Sequence, residues 1–132
     1  MELRAGRVDE IVWDDESWAV LDVGFAKSGR KSSGLGIGSN TPVELTFADA
    51  KSAISYYTSR STIPVNCVVE APLSIAFDSK GNSTGRRFEK RGGATRYWYS
   101  GLAASISMAT LHLAHAMVLQ PGGPIVRLFQ GF

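Results

Sequence analysis

Apolar positions recur along the chain first at a spacing of two and then at helical spacing, and they divide it into short strands and two longer helical stretches. Trp18-Ala19-Val20-Leu21-Asp22-Val23-Gly24-Phe25 follows an acidic turn, Asp14-Asp15-Glu16, which is itself preceded by Ile11-Val12-Trp13. With a period of two, Trp18, Val20 and Asp22 share one face, and Ala19, Leu21 and Val23 share the other. Both faces carry apolar residues, so the pattern predicts a strand buried on both sides. Gly29, set among charged residues between Lys27 and Lys31, predicts a turn. Ser32 to Gly38 then returns as a second strand, in which glycines alternate with Leu35 and Ile37 and leave little side-chain bulk on one side. Asn40-Thr41-Pro42 breaks it, and Val43 to Phe47 alternates again as a third strand.

The period changes at Ala48. Ala50, Ala53, Ile54 and Tyr57 fall at helical spacing, with Thr46 or Asp49 available as a cap, and predict a helix from about Ala48 to about Arg60. Ser61-Thr62-Ile63-Pro64 ends it. The β-branched run Val65 to Val69 reads as a strand buried on both faces. It stops at Glu70, because Ala71-Pro72 forbids helix and removes a ladder donor. Leu73 to Thr95, with Gly81, Gly85, Gly92 and Gly93, has no clear periodicity, and a loop of that length in a compact domain is a place to look for a substrate. Arg96 to Leu119 predicts a long apolar helix, Gln120-Pro121-Gly122-Gly123-Pro124 ends it, and Ile125 to Phe129 forms a last strand. The order predicts an α/β fold: a mixed sheet of three antiparallel strands followed by helix-linked strands, flanked by helices.

Composition narrows this further. The 132 residues suit a single domain over 1–132, and 44% apolar with 20% charged residues is ordinary globular usage rather than that of a disordered chain. The single cysteine, Cys67, excludes an internal disulfide or a multi-thiolate zinc site; it reads as a small buried hydrophobe and fits a cytoplasmic setting. Met1 to Arg7 lacks the apolar core of a secretory signal, so export is not expected. Gly101 to Leu119 carries no charged residue and is nearly long enough to span a bilayer. Its serines, Thr110, His112, His115 and alanine-rich composition predict a buried helix instead, with no membrane partner.

The net charge of +2 implies no partner, but its distribution does. Lys80, Arg86, Arg87, Lys90, Arg91 and Arg96 stand against Asp78 and Glu89 alone in the stretch from Asp78 to Arg96. With Tyr97, Trp98 and Tyr99 adjoining, this stretch could grip nucleic acid, arginines pairing phosphates and a ring such as Tyr97 stacking on an unpaired base. It is equally readable as a solvated loop with Trp98 in the core. His112 and His115 share a helix face without an acidic or cysteine partner near them in sequence, and read as helix surface. Gly34 to Gly38 lacks the Lys-Ser/Thr of a phosphate loop, and no serine sits in a nucleophile-elbow pattern.

Leu21-Asp22-Val23-Gly24 on the first predicted strand, Val68-Val69-Glu70-Ala71-Pro72-Leu73-Ser74 on the fourth, and the order of elements together resemble the ribonuclease H-like superfamily. The resemblance is to its branch of predicted nucleases of unknown function and to the Holliday-junction resolvases, and it covers roughly Ser17 to Phe129. It implies that Asp22 and Glu70 lie side by side and bind Mg²⁺ or Mn²⁺ in a divalent-metal-dependent nuclease, a phosphodiester hydrolase. Such chemistry needs several oxygen ligands around the cations. Asp78 is a candidate further ligand, although Asp78-Ser79-Lys80-Gly81-Asn82 also reads as an ordinary turn. Family members usually supply a third carboxylate from a helix after the fifth strand, whereas this sequence stops at Gly131-Phe132, so the last helix is expected to be lacking. A non-catalytic nucleic-acid-binding or assembly module of the same fold is therefore the alternative. The final strand is expected to expose an edge that invites a homo-oligomer or a partner subunit. An actin-like nucleotide-binding domain also begins with an Asp-x-Gly strand, but its second phosphate loop and adenosine motif are not visible here.

Overall fold

The computed structural model describes residues 1–24, 26, 29–71, 73, 76–80, 83–84, 90–91, 94–95, 102–119 and 122–131, with backbone alone for 76–77, 83–84, 90–91, 94–95 and 102–103. The strands are β1 (Glu2–Ala5), β2 (Trp18–Asp22), β3 (Ser33–Ile37), β4 (Val43–Leu45), β5 (Val65–Glu70), β6 (Ala76–Phe77), β7 (Ser83–Thr84), β8 (Lys90–Arg91), β9 (Ala94–Thr95) and β10 (Ile125–Gln130). The α-helices are α1 (Phe47–Arg60) and α2 (Leu102–Val118). A six-stranded mixed sheet runs β1-β10-β5-β2-β3-β4. Strands β2, β3 and β4 pair antiparallel, whereas β2 with β5, β5 with β10 and β10 with β1 pair parallel.

Alternation along each strand sorts the side chains. Ala19, Leu21, Val23, Leu35, Val65, Cys67, Val69 and Val126 are buried and form one core with Ala50 and Ile54 of α1 and Leu113, Ala114 and Met117 of α2. Both helices therefore lie on one face of the sheet, α1 over β3 and β4 and α2 towards β1. Thr46 caps α1 as expected: its Oγ1 accepts from the Asp49 N–H at 3.1 Å and donates to Asp49 Oδ2 at 2.7 Å. Cys67 is fully buried, and burial pushes its thiol up to about 12. Among the described residues no helix is long and apolar enough to cross a membrane.

The opposite face departs from expectation. Val20 is 51% exposed and Asp22 is exposed, so β2 is buried on one side and open on the other. Among the described residues no α-helix covers this second face; the segment from Arg7 to Ser17, with short 3-10 turns at Val8–Glu10 and Asp15–Ser17, crosses one end of it. That segment is pinned by polar contacts. Asn66 Nδ2 donates to Val12 O at 2.8 Å and to Ser17 Oγ at 3.1 Å, and Ser17 Oγ donates to Val12 O and Asp14 O. Glu10 reaches Arg4 at 3.0 Å and the buried Arg127 at 3.9 Å.

Two further expectations are corrected. The last strand is not an edge, because β1 pairs along it from Glu2↔Ile125 to Ala5↔Leu128; the edges of the sheet are β1 and β4. The region after β5 also contains two short hairpins, β6 with β7 and β8 with β9, rather than irregular chain throughout.

Candidate functional site

The two central strands bring the paired acids together. In the parallel β2–β5 ladder the register runs from Trp18↔Asn66 to Asp22↔Glu70, so the acids end their strands as direct neighbours. Adjacent strands lie about 4.8 Å apart, and the alternation puts both side chains on the open face. Both are exposed, and neither has a hydrogen bond or ion pair to another described residue. Arg30, in the segment that follows β2, makes no such contact with Asp22, although both are described. Two carboxylates so placed supply hard oxygen donors of the kind Mg²⁺ and Mn²⁺ prefer. Among the described residues no group of three or more His, Cys, Asp and Glu side chains converges as a metal site.

The position of Asp22 depends on the glycine two residues later. A Cβ at Gly24 would stand 1.9 Å from Ser32 O, so only glycine lets β3 approach the end of β2 this closely. The approach is secured by Ser33, whose Oγ donates to Gly24 O at 2.6 Å and accepts from the Gly24 N–H at 3.3 Å. The Asp-x-Gly pattern thus has a packing cause in this chain.

The other expected site residues fall as follows. Asp78 is exposed and its Oδ1 accepts from the Lys80 backbone N–H at 2.8 Å, the geometry of a side-chain turn, and Lys80 is exposed beside it. Lys90 and Arg91 form β8, of which the backbone alone is described. Arg86, Arg87, Arg96 and Tyr97 lie outside the described residues. His112 and His115 are exposed on α2, with the His112 ring 6.2 Å from that of Phe47.

Sequence reasoning missed two features of the open face. One is a slot of about 360 Å³ along β2 and β3, which includes Asp22 in its lining together with Trp18, Val20, Gly34, Leu35, Gly36, Gly38, Asn40 and Pro42. The signal for it was the alternation of glycines in β3. The other is Arg127, only 8% exposed, whose Nε and Nη1 have no hydrogen-bond partner among the described residues, as is also true of Glu10 Oε2 and Asn66 Oδ1. A lone arginine in an apolar strand gave no signal of its burial.

Fold and site together define a mixed α/β protein with a pair of neighbouring exposed carboxylates on the open face of its sheet. The chain matches no protein-family model, no curated protein and no solved structure.

Proposed function

We propose that this protein is a ribonuclease H-like, divalent-metal-dependent nuclease domain acting on nucleic-acid phosphodiesters, with Asp22 and Glu70 as metal ligands. The observation that carries the reading is the Asp22↔Glu70 register on adjacent parallel strands, both side chains exposed and without partners among the described residues. The strand arrangement supports it: an antiparallel trio, then the parallel strands β5, β10 and β1 added at the side of β2. Two carboxylates in one place repel each other, and a cation removes that repulsion. A bound Mg²⁺ or Mn²⁺ would polarise a phosphoryl oxygen and lower the pKa of a coordinated water. Asp22 and Glu70 hold and orient; the basic stretch from Lys80 to Arg96 supplies charge of the sign that phosphates need.

A non-catalytic nucleic-acid-binding or assembly module is the second reading. It is favoured by the two-acid site, since among the described residues no third ligand joins the pair.

The test is calorimetric titration of Mg²⁺ and Mn²⁺ into the wild type, Asp22→Asn and Glu70→Gln, with folding checked by circular dichroism. Metal binding lost in both variants, with phosphodiester cleavage lost alongside, is the expected result. A wild type that binds neither cation overturns the nuclease reading and leaves the second one.

A further inference from the structure

The slot beside Asp22 has a shape that the fold does not require. Trp18, Val20 and Asp22, two residues apart on β2, form one wall; β3 forms the floor; Asn40 and Pro42 stand on the far side. The floor is nearly bare because Gly34 and Gly36 face it. Neither glycine has a positive φ. A Cβ would meet Asp22 Cβ at 3.5 Å from position 34, and Pro42 at 3.6 and 3.9 Å from position 36, which are ordinary contacts. The fold therefore has room for side chains at both positions, unlike Gly24. Glycine inside a strand weakens it and marks close approach by a ligand or another backbone.

We infer that this slot receives an unpaired nucleobase from the nucleic acid whose phosphodiester lies at Asp22 and Glu70. The inference rests on the nuclease reading and specifies how that site would take its substrate. A bare strand gives a flat floor, and the Trp18 indole supplies a stacking surface, of the kind that holds single-stranded bases. The volume is at the lower end of the range for small-ligand sites. From Trp18 to Asp22 the wall runs about 13 Å along the strand, so a base stacked on Trp18 and the paired acids stand at opposite ends of the slot.

The polar groups define which ligand fits. Asn40 Nδ2 donates to Ile37 O at 3.0 Å, which leaves its Oδ1 to accept. Asp22 accepts at the other end. Exposed Glu44 lies opposite Gly34 in register, and Glu16 Oε2 lies 3.3 Å from the position of a Gly38 Cβ. These acceptors favour a neutral ring with amino donors, such as adenine or cytosine. A guanidinium satisfies the charge but leaves most of the slot unfilled.

The experiment uses nucleosides, which lack phosphate. Adenosine and cytidine, and separately Mg²⁺, are titrated into the full chain and into Gly36→Val, following the Leu35 amide resonance by NMR, since Leu35 also lines the slot; Gly34→Ala is a second variant, and melting curves verify folding. Nucleoside binding at the Leu35 amide, weakened tenfold or more in both variants with Mg²⁺ affinity unchanged within twofold, is expected. Absence of nucleoside binding, or equal binding in wild type and folded variants, overturns the inference. Binding of N-acetylarginine amide in place of nucleosides overturns it in favour of a cationic occupant. Nucleoside binding lost in the variants, in a protein that binds no Mg²⁺, upholds the base slot and overturns the nuclease reading.

Discussion

Replacing Gly24 by alanine tests whether the glycine of the Asp-x-Gly pattern is there for packing. The new Cβ would stand 1.9 Å from Ser32 O and 2.8 Å from its carbonyl carbon, whereas ordinary contact begins near 3.4 Å. Relief therefore needs the end of β2 and the start of β3 to separate by more than about 1 Å. That separation breaks both bonds between Gly24 and Ser33. Ser33 is 2% exposed, so water does not replace them. Each net hydrogen bond contributes about 0.5–1.5 kcal/mol, and a buried hydroxyl left without a partner costs about 1–3 kcal/mol more. The loss of unfolded-state entropy favours alanine by only about 0.4–1 kcal/mol. The expected destabilisation is about 2–5 kcal/mol, a large part of the roughly 5–15 kcal/mol typical of a domain. Urea unfolding followed by far-UV circular dichroism measures it. The internal comparison is Gly36→Ala, expected to be neutral or stabilising by up to about 1 kcal/mol, because its Cβ meets nothing closer than 3.6 Å. A Gly24→Ala protein within about 1 kcal/mol of wild type would refute the packing account.

Two other outcomes follow from buried groups. Because burial holds the Cys67 thiol near 12 against an ordinary 9.0, the fold favours its protonated form. Stability is then intact below pH 9 and falls as pH rises towards 12, by up to about 1.4 kcal/mol per unit. Tyr57 is also raised, by burial first and then by Glu16 and Asp14, and adds a loss above pH 10. Cys67→Ala should flatten the profile between pH 9 and 10 in urea melts at stepped pH; parallel decline of the two proteins would contradict the assignment. At the covered end of the open face, Glu10 is the carboxylate shared by Arg4 and Arg127. Glu10→Gln should destabilise by about 1–3 kcal/mol, because it leaves Arg127 charged and buried, while Arg127→Met should be neutral or stabilising. Equal destabilisation by the two substitutions in thermal melts would show that the arginine itself holds the fold.

Asp22 and Glu70 were legible as acids at the ends of two apolar runs, one with a period of two and one continuous, because such runs are local signals, whereas their pairing was implied only by the resemblance. Helix α1 was legible for the same reason, with Thr46 as its cap. Strand β1 was not. Glu2-Leu3-Arg4-Ala5 has one large apolar side chain and becomes a strand because β10 offers it an edge, with Leu3 beside Val126. The short hairpins after β5 have strands of two residues each, too short for any period to register.

The sequence by itself determined the order of the main elements and the two acids at strand ends, since periodicity and breakers act within a few residues of themselves. The tertiary structure decided which face stays open, which strands form the edges, and that Asp22 meets Glu70 rather than another neighbour. It also decided that the glycines of β3 line a slot beside Trp18. Each of these depends on register between segments tens of residues apart, and a shift of one residue in the β2–β5 ladder would separate the acids while leaving every local pattern unchanged.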